Sequence, residues 1–391
     1  MKKLNIGLYG LGVVGQGLYE VLQNSKTVDA EIASICVKQE KERTVGESLI
    51  TRDQRKIIEN DDINIVVELI DDAEDAYRIV KEALLVGKNV VSGNKKMLAA
   101  HLEELIGIQK ETGRSLLYDA SACGSIPIIR NLEEYYDNDL LLSITGILNG
   151  SSNYILTKIF RDGQDYQAAL KEAQELGFAE SNPAFDVNGN DSLFKLVIIT
   201  LHAFGLLVNP DDIFRFGISN ISGFDVRFAK EKGLKIKLVA KVTKTEDNRL
   251  ALYVAPQFVQ PDKYIYNVED EYNGVVIKGA YYDKQFMFGK GAGAYPTGSA
   301  VLSDITALSH NYKYEYKKLK YFKKPTFSND LVLKIYLRYQ REEDLELFHF
   351  EEILEQYSGT ENRFVVGNMK LSNLLAIKEV LDELPVFLGV I

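Results

Sequence analysis

The stretch that says most about the architecture of this chain is Leu4-Asn5-Ile6-Gly7-Leu8-Tyr9-Gly10-Leu11-Gly12-Val13-Val14-Gly15. An apolar run of strand length leads straight into G-x-G-x-x-G, and a segment with apolar residues at helical spacing follows. In this setting the motif is the dinucleotide-binding fingerprint, because its glycines permit a tight turn and bring the N–H groups of a helix N-terminus close to a pyrophosphate. A tight turn without a ligand is the alternative. We predict that the dinucleotide is bound by Gly10, Gly12, Val13, Val14 and Gly15.

Strand-like and helix-like segments continue to alternate as far as about residue 136. The predicted strands are Leu4 to Tyr9, Ile32 to Val37, Ile63 to Ile70, Asn89 to Ser92, and Leu116 to Tyr118. Segments with helical spacing separate them, and glycines stand where helix C-caps belong. The alternation predicts an α/β fold with a doubly wound parallel Rossmann-type sheet in residues 1–136, completed by about residues 289–324.

The regular alternation of strand-like and helix-like segments ends at Asp137. One strand precedes three helical stretches, and strands that alternate polar with apolar residues follow Lys235, including one predicted from Gly274 to Phe288. We therefore predict a second, α+β domain for catalysis and dimerisation at residues 137–288, with one sheet face solvated or forming a homodimer interface. A small C-terminal segment is predicted at residues 325–391.

Composition narrows the class of protein. The chain has 391 residues, is 46% hydrophobic, and carries a net charge of −10. That charge opposes a nucleic-acid partner, since phosphate binding needs clustered cations. The sequence has no apolar run near the 20 residues that a bilayer span requires, so no membrane partner is expected. With only two cysteines, no disulfide framework is expected either, and a cytoplasmic location fits best.

The residue after the second strand bears on cofactor choice. An NAD site usually places an acid there, but this chain has Lys38, followed by Gln39-Glu40-Lys41-Glu42-Arg43. The cations suit the 2′-phosphate of NADP, whereas the two glutamates could bind a ribose hydroxyl or form solvated ion pairs. An ordinary charged surface loop is an equal alternative. We predict that NADP is preferred, with NAD left open.

A loop feeding an apolar helix supplies acid and base candidates. Asp191 falls in the first helical turn, and Lys195 is four residues on, so both share one face. Lys195 is the only formally charged residue from Leu193 to Phe204, and a partly desolvated lysine suits proton transfer. The alternative is a structural ion pair with a snorkelling lysine stem. His202, on the same helix, is interpreted as a core histidine.

Two further sites lie at the predicted carboxyl edge of the parallel sheet, where doubly wound folds bind ligands. Asn94 and Lys95 follow the fourth strand, and Lys95 is a functional candidate whose alternative is a surface lysine at a helix start. Cys123 follows the fifth strand. The sequence places no histidine near it to support a nucleophile, so it is interpreted as structural or pocket lining.

Together these pieces resemble the homoserine dehydrogenase family over about three quarters of the chain. The matching motifs, in order, are the glycine loop, Asn94-Lys95, Asn149-Gly150-Ser151-Ser152-Asn153-Tyr154-Ile155-Leu156, Gly177 to Pro183, and Gly289-Lys290-Gly291-Ala292-Gly293-Ala294-Tyr295-Pro296-Thr297. The resemblance implies NAD(P)-dependent interconversion of L-homoserine and L-aspartate 4-semialdehyde in the biosynthesis of threonine and methionine, by a homodimer or higher homo-oligomer.

The resemblance also assigns roles to individual residues. Glu180 would bind the substrate amino group, Asp191 and Lys195 would support proton transfer, and Lys95 would line the reacting centre. The motif positions expected to contact substrate are Asn149, Gly150 and Ser152. The cofactor positions added to the glycine loop are Lys38, Asn94, Lys95, Gly291 and Gly293.

This sequence departs from the family pattern at Asp71-Asp72, where a Gly-Gly turn is common after the third strand, and in the segment after the fifth predicted strand. The family's E-A-x-V-G-G-G-I-P segment is replaced by Asp119-Ala120-Ser121-Ala122-Cys123-Gly124-Ser125-Ile126-Pro127. A sodium site there would use Asp119, Ala122, Gly124 and Ile126.

The C-terminal segment resembles a small ACT-type regulatory domain in its order of strand, short helix, strand, helix and strand, but it lacks the acidic-x-Pro-Gly turn, so little threonine inhibition is expected.

Two rival functions stay open at this point. One is an oxidoreductase of the same architecture that acts on another amino-acid semialdehyde or hydroxy acid, which a panel of alcohols would distinguish. The other is a catalytically inactive nucleotide-binding regulator, which retention of the acid and base candidates opposes and a turnover assay would test.

Overall fold

The computed structural model describes residues 3–26, 28–38, 45–360 and 362–391. The chain forms two compact units. Unit 1 comprises Met1–Asp137 and Lys290–Lys317, and unit 2 comprises Asn138–Gly289 and Lys318–Ile391. The cations Lys41 and Arg43, which entered the cofactor prediction, lie outside the described residues.

Strands and helices are numbered along the chain. The strands are β1 Leu4–Tyr9, β2 Ala30–Cys36, β3 Ile50–Thr51, β4 Ile65–Glu68, β5 Asn89–Ser92, β6 Leu116–Leu117, β7 Leu141–Ile147, β8 Phe214–Arg215, β9 Lys235–Lys244, β10 Arg249–Val259, β11 Tyr272–Gly279, β12 Lys284–Lys290, β13 Thr326–Phe327, β14 Val332–Tyr339, β15 Glu352–Ser358, β16 Arg363–Lys370 and β17 Phe387–Val390. The helices are α1 Val13–Asn24, α2 Arg55–Ile58, α3 Ala73–Leu85, α4 Lys95–Thr112, α5 Ala120–Cys123, α6 Ile128–Glu134, α7 Gly150–Arg161, α8 Tyr166–Glu175, α9 Ala184–Val187, α10 Asn190–Phe204, α11 Gly223–Glu231, α12 Ala294–Leu308, α13 Glu342–Glu346, α14 Leu371–Ala376 and α15 Lys378–Leu381.

Unit 1 contains a parallel sheet in the order β3-β2-β1-β4-β5-β6. The strand order reverses between β1 and β4, so the carboxyl ends of these two strands form the switch point at which such sheets bind ligands. The predicted doubly wound α/β fold is confirmed. Strand β3 was not predicted, because two residues are too short to show a periodic pattern.

Two glycines allow helices α1 and α12 to pack in close contact within unit 1. A Cβ atom at Gly17 would lie 2.1 Å from the carbonyl oxygen of Ala294, and one at Gly298 would lie 2.7 Å from the carbonyl carbon of Gly17. Helix α12, which lies in sequence between the two segments of unit 2, is therefore an integral part of unit 1.

Unit 2 is built on one mixed sheet in the order β12-β11-β7-β9-β10-β17-β14-β16-β15, with β8 and β13 pairing additionally with β10. The single strand predicted from Gly274 to Phe288 is wrong in detail. It is two strands, β11 and β12, because the chain turns between them at Asp283, which has a φ of +54°. None of the helices in the described ranges combines the length and the apolar character needed to cross a bilayer.

The C-terminal residues extend this sheet. From β14 to β17 the order is strand, helix, strand, strand, helices and strand, so the sequence-based description lacked one strand. Strand β17 pairs with β14 on one side and, in parallel, with β10 on the other. Residues 318–391 therefore belong to the same compact unit as residues 138–289, whereas the sequence suggested a separate segment from residue 325.

Candidate active site

The glycine loop of unit 1 fits a dinucleotide pyrophosphate. Gly10 has a φ of +93°, and a Cβ atom there would lie 2.4 Å from the Leu69 carbonyl oxygen. A Cβ atom at Gly15 would lie 2.3 Å from the Gly10 carbonyl oxygen, so both positions exclude larger residues. A Cβ atom at Gly12 would meet no described atom within 4 Å, and Gly12 gives helix α1 no side-chain cap. The N–H groups of Val13 and the next residues therefore face an open approach, as an anion requires.

Lys38 stands just beyond β2 and is 65% exposed at its side chain. Its ammonium forms an ion pair with Asp75 of helix α3, and Arg78 pairs with the same carboxylate. A cofactor phosphate at this position would compete with Asp75 for the lysine. An exposed pair of this kind is worth little, so the competition is weak.

Asn94 is held by a closed network at the carboxyl ends of β4 and β5. Its side chain caps helix α4 by accepting the Met97 N–H at 2.9 Å and donates to the Ile70 carbonyl at 3.0 Å. Ser92 accepts the Asn94 N–H at 3.2 Å and donates to Glu68 at 2.5 Å. The other oxygen of Glu68 accepts the Ile70 N–H at 2.8 Å. The network fixes the start of α4, whose first residue is Lys95.

Glu68, which sequence reasoning did not single out, is fully buried. Burial raises the pKa of its carboxyl group to about 7, against the hydrogen bonds from Ser92 and Ile70 that favour the charged form. Between the ordinary carboxyl pKa and this value the native state binds more protons than the unfolded state. The contribution of Glu68 to stability is therefore greatest below about pH 4.5 and falls as the pH rises to about 7.

Glu68→Gln should change the free energy of unfolding more favourably at pH 8 than at pH 5, by a difference on the order of 2–3 kcal/mol. The reason is that the amide cannot ionise and still accepts the Ile70 N–H. Tm measured at both pH values checks this. Glu47→Gln, at an exposed position, serves as the control with no such pH dependence. Equal shifts of Tm at the two pH values for Glu68→Gln would contradict the assignment.

Gly291 and Gly293 lie in the segment that leads into helix α12. A Cβ atom at Gly124, which has a φ of +55°, would lie 2.5 Å from the Gly291 carbonyl oxygen. Ser125 donates its N–H to the Lys290 carbonyl at 3.0 Å. Gly293 precedes the first helical residue and has a φ of +122°, which favours glycine. This segment is thus tied to the loop that follows β6.

The proposed sodium ligands also lie in the loop after β6. Asp119 is buried, and its Oδ1 accepts the N–H of Ile129 at 2.7 Å. The Ile126 carbonyl accepts the N–H of Ile128 at 2.8 Å. Two of the four proposed metal ligands, Asp119 and Ile126, therefore already accept hydrogen bonds within unit 1. In addition, the described residues contain no cluster of three or more acidic, His or Cys side chains that could hold a metal. The sodium site, which would also use Ala122 and Gly124, stays a prediction.

Unit 2 brings the acid and base candidates together. Asp191 and Lys195 lie on α10 and are both buried, and the Lys195 Nζ is 2.7 Å from the Asp191 Oδ2. The same Nζ donates to the Leu148 carbonyl at 2.7 Å. Asn149, which caps helix α7 through the Ser152 N–H at 2.8 Å, donates to the Asp191 Oδ2 at 2.9 Å. Lysine and acid are thus oriented by the loop between β7 and α7.

Asp186 was missed by the sequence reasoning. Its Oδ1 accepts the second hydrogen bond of the Asn149 amide, at 2.8 Å. Burial and the neighbouring Asp191 raise the pKa of Asp186, which means that the site holds two carboxylates that repel each other. Such a site favours a cationic group, and the signal in the sequence was the second acid in the loop before α10.

The remaining substrate candidates surround this loop. A Cβ atom at Gly150 would lie 2.6 Å from the Glu271 carbonyl oxygen, so the position needs glycine. Ser152 is buried and donates to the Asn149 carbonyl at 3.2 Å. Glu180 is exposed in the loop after α8, and its carbonyl accepts from Gln174 at 2.9 Å. Its carboxylate thus remains at the surface of unit 2.

The sequence predicts that His202 is a core residue and that Cys123 is structural or lines a pocket. His202 is buried on helix α10, and its carbonyl accepts from the Lys318 Nζ at 2.7 Å. Cys123 is buried at the end of helix α5.

Comparisons with known proteins identify the family of this chain. Family models described as the NAD binding domain of homoserine dehydrogenase and as homoserine dehydrogenase match residues 10–119 and 127–306. The homoserine dehydrogenase of Lactococcus lactis is 32% identical, over 97% of this chain and 96% of that protein.

Two solved structures are similar along most of the chain. The crystal structure of a homoserine dehydrogenase from Thiobacillus denitrificans has a TM-score of 0.84 at 28% identity, covering 100% of this chain and 98% of that one. A hyperthermophilic archaeal homoserine dehydrogenase in complex with NADPH has a TM-score of 0.69 at 25% identity, covering 80% and 99%. This chain belongs to the homoserine dehydrogenase family.

Proposed function

We propose that, in the reaction of its family between L-homoserine and L-aspartate 4-semialdehyde, this enzyme uses Lys195 to carry the hydroxyl proton and Asp191 to orient the lysine. The observation that carries the proposal is the buried contact of Lys195 with both Asp191 and the Leu148 carbonyl. Burial excludes water, and the two acceptors fix the amine, as a positioned base requires.

The oxidised nicotinamide supplies a hydride acceptor when it is bound. As the C–H bond of the alcohol carbon breaks, the Lys195 amine accepts the hydroxyl proton, and the former O–H bonding pair becomes the second bond between carbon and oxygen. In the reverse direction the lysine ammonium returns this proton to the aldehyde oxygen. Lys95, the first residue of helix α4, stays a functional candidate.

Substrate binding is assigned to groups of opposite charge. The substrate carries an ammonium, and Glu180 and Asp186 offer carboxylates for charge-assisted hydrogen bonds. Asn149 holds Asp186 and Asp191 apart at fixed distances, while Gly150 and Ser152 shape the start of α7. A homodimer and a cytoplasmic location stay predictions.

Cofactor preference depends on the residue that follows β2. We expect the parent protein to bind NADP more tightly than NAD, because Lys38 stands where an acid would otherwise bind the ribose hydroxyl. The NADPH complex of the archaeal relative supports this expectation. Lys38→Glu should erase or reverse the preference, a change of roughly tenfold in the ratio of the two Kd values for one charge-assisted contact.

Titration of the fluorescent reduced forms, NADPH and NADH, into the parent protein and the variant measures these Kd values. Lys110→Glu, at an exposed position in the last turn of α4, makes the same charge change away from the loop and should leave the ratio unchanged. Equal affinities for NADP and NAD in the parent protein would overturn the assignment.

A further inference from the structure

The Leu148 carbonyl accepts hydrogen bonds from two side chains. One is the Lys195 Nζ at 2.7 Å, and the other is the Asn273 Nδ2 at 3.1 Å. Leu148 directly follows β7, and Asn273 lies on β11, the antiparallel neighbour of β7. Asn273 is completely buried. The side-chain amide of a residue on β11 thus donates to the same carbonyl oxygen that accepts from the Lys195 amine.

The other end of the Asn273 amide is not satisfied. Its Oδ1 is buried and has no hydrogen-bond partner in the described part of the chain. A buried polar atom in this state costs about 1–3 kcal/mol, which a leucine of similar volume would not incur. Stability alone therefore does not explain an asparagine here, and unsatisfied buried groups of this kind call for a functional reason.

We propose that Asn273 is a positioning residue for homoserine oxidation, which fixes the Leu148 carbonyl and thereby the amine of Lys195. This inference rests on the proposed role of Lys195. The charged groups that the described residues place near that lysine include Asp191, in direct contact, and Asp186, joined to Asp191 through Asn149. With the amide removed, the carbonyl can rotate and the lysine can follow Asp191 away from its productive position.

Two nearly isosteric variants of the full-length protein test the proposal. Asn273→Leu removes the amide and its unpaired oxygen, and Asn273→Asp replaces the donor with a carboxylate that cannot donate to the Leu148 carbonyl. Both should lower kcat by roughly 10- to 100-fold, because a displacement of about 1 Å of a catalytic group can cost on the order of 100-fold, with KM for homoserine and Kd for NADP within about twofold. The pH profile of kcat should also move in both variants, while Tm of Asn273→Leu stays at or above the parent value.

The matched control is Gln257→Leu. Gln257 lies on β10 of the same sheet and also has a buried, unpartnered amide oxygen, but β10 is separated from β11 by β7 and β9. This variant should keep the parent kcat and pH profile. Parent kcat and pH profile in both Asn273 variants would overturn the proposal and leave Asn273 as a packing residue.

A double-mutant cycle separates this inference from the proposed function. If Lys195 is the base, Asn273→Leu should lower kcat little further in a Lys195→Met background, because both changes act through one group. Full additivity of the two effects would refute the positioning role while leaving Lys195 as the base. Parent activity in Lys195→Met alone would refute the proposed function itself.

Discussion

Replacing Lys195 with methionine is expected to lower kcat for homoserine oxidation by on the order of 100-fold or more, the usual contribution of a positioned acid or base. The two side chains have similar length and flexibility, so the apolar surroundings on α10 should accept methionine. Removing the ammonium does leave Asp191 with one fewer partner, but Asn149 still donates to its Oδ2. Steady-state kinetics and cofactor titration measure the effect, and Kd for NADP should stay near the parent value.

Companion variants distinguish chemistry from binding. Asp191→Asn should lower kcat in the same direction, since it removes the acceptor that orients the lysine. Glu180→Gln should chiefly raise KM for homoserine, since its proposed partner is the substrate ammonium. A folded Lys195→Met protein that turns over homoserine at the parent rate would reduce the lysine to a member of a structural ion pair.

Asp225→Ala is expected to destabilise unit 2 by about 3–5 kcal/mol, because it leaves a buried arginine without its counter-charge. Asp225 is completely buried on α11 and accepts from the Arg338 Nε at 3.0 Å and from the Tyr336 hydroxyl at 2.9 Å. It also accepts the Ser222 N–H at 2.8 Å in the capping box of α11. Arg338 and Tyr336 belong to β14, so the loss weakens the attachment of the C-terminal strands.

Thermal unfolding of the full-length protein measures this effect, as a fall in Tm of roughly 10 °C for a unit of this size. Glu355→Ala is the control, because it breaks an exposed ion pair with Lys232 and should change stability by less than about 1 kcal/mol. An unchanged Tm in Asp225→Ala would mean that the buried pair does not hold β14 to α11.

The parts of the site that depend on local spacing could be predicted from the sequence. The glycine loop sits between a strand and a helix, and its turn and helix start follow from neighbouring residues. Asp191 and Lys195 are one helical turn apart, so a helix over this segment brings them together without any knowledge of the fold. The structure contains both the strand–loop–helix order and the contact between Asp191 and Lys195.

The contacts between distant segments could not be predicted. Asn149 and Asp191 are 42 residues apart, and Leu148 and Asn273 are 125 apart. These pairs depend on the register of β7 against β11 and on the packing of α10, which no periodic pattern in a single sequence reports. The contacts of Asp186, Glu68 and Asn273 are therefore visible only in the structure.

Strand β15 shows a different reason for failure. All of its residues are exposed, so it has no buried face to impose an alternation of polar and apolar side chains. The register against β16 also shifts between Ile353 and Glu355, which interrupts the period of two. The sequence description of the C-terminal segment consequently lacked this order of strands, although it identified the strand–helix alternation around it.

The proposed reaction is the oxidation of homoserine, with the hydroxyl proton transferred through the buried lysine. The most direct test is a spectrophotometric assay of the purified full-length protein with homoserine and either NADP or NAD, run beside a panel of other hydroxy amino acids and hydroxy acids. We expect reduced cofactor with homoserine, at a higher kcat/KM than with any other alcohol, and a higher kcat/KM for NADP than for NAD. No cofactor reduction with homoserine, or faster turnover of another alcohol, would contradict it.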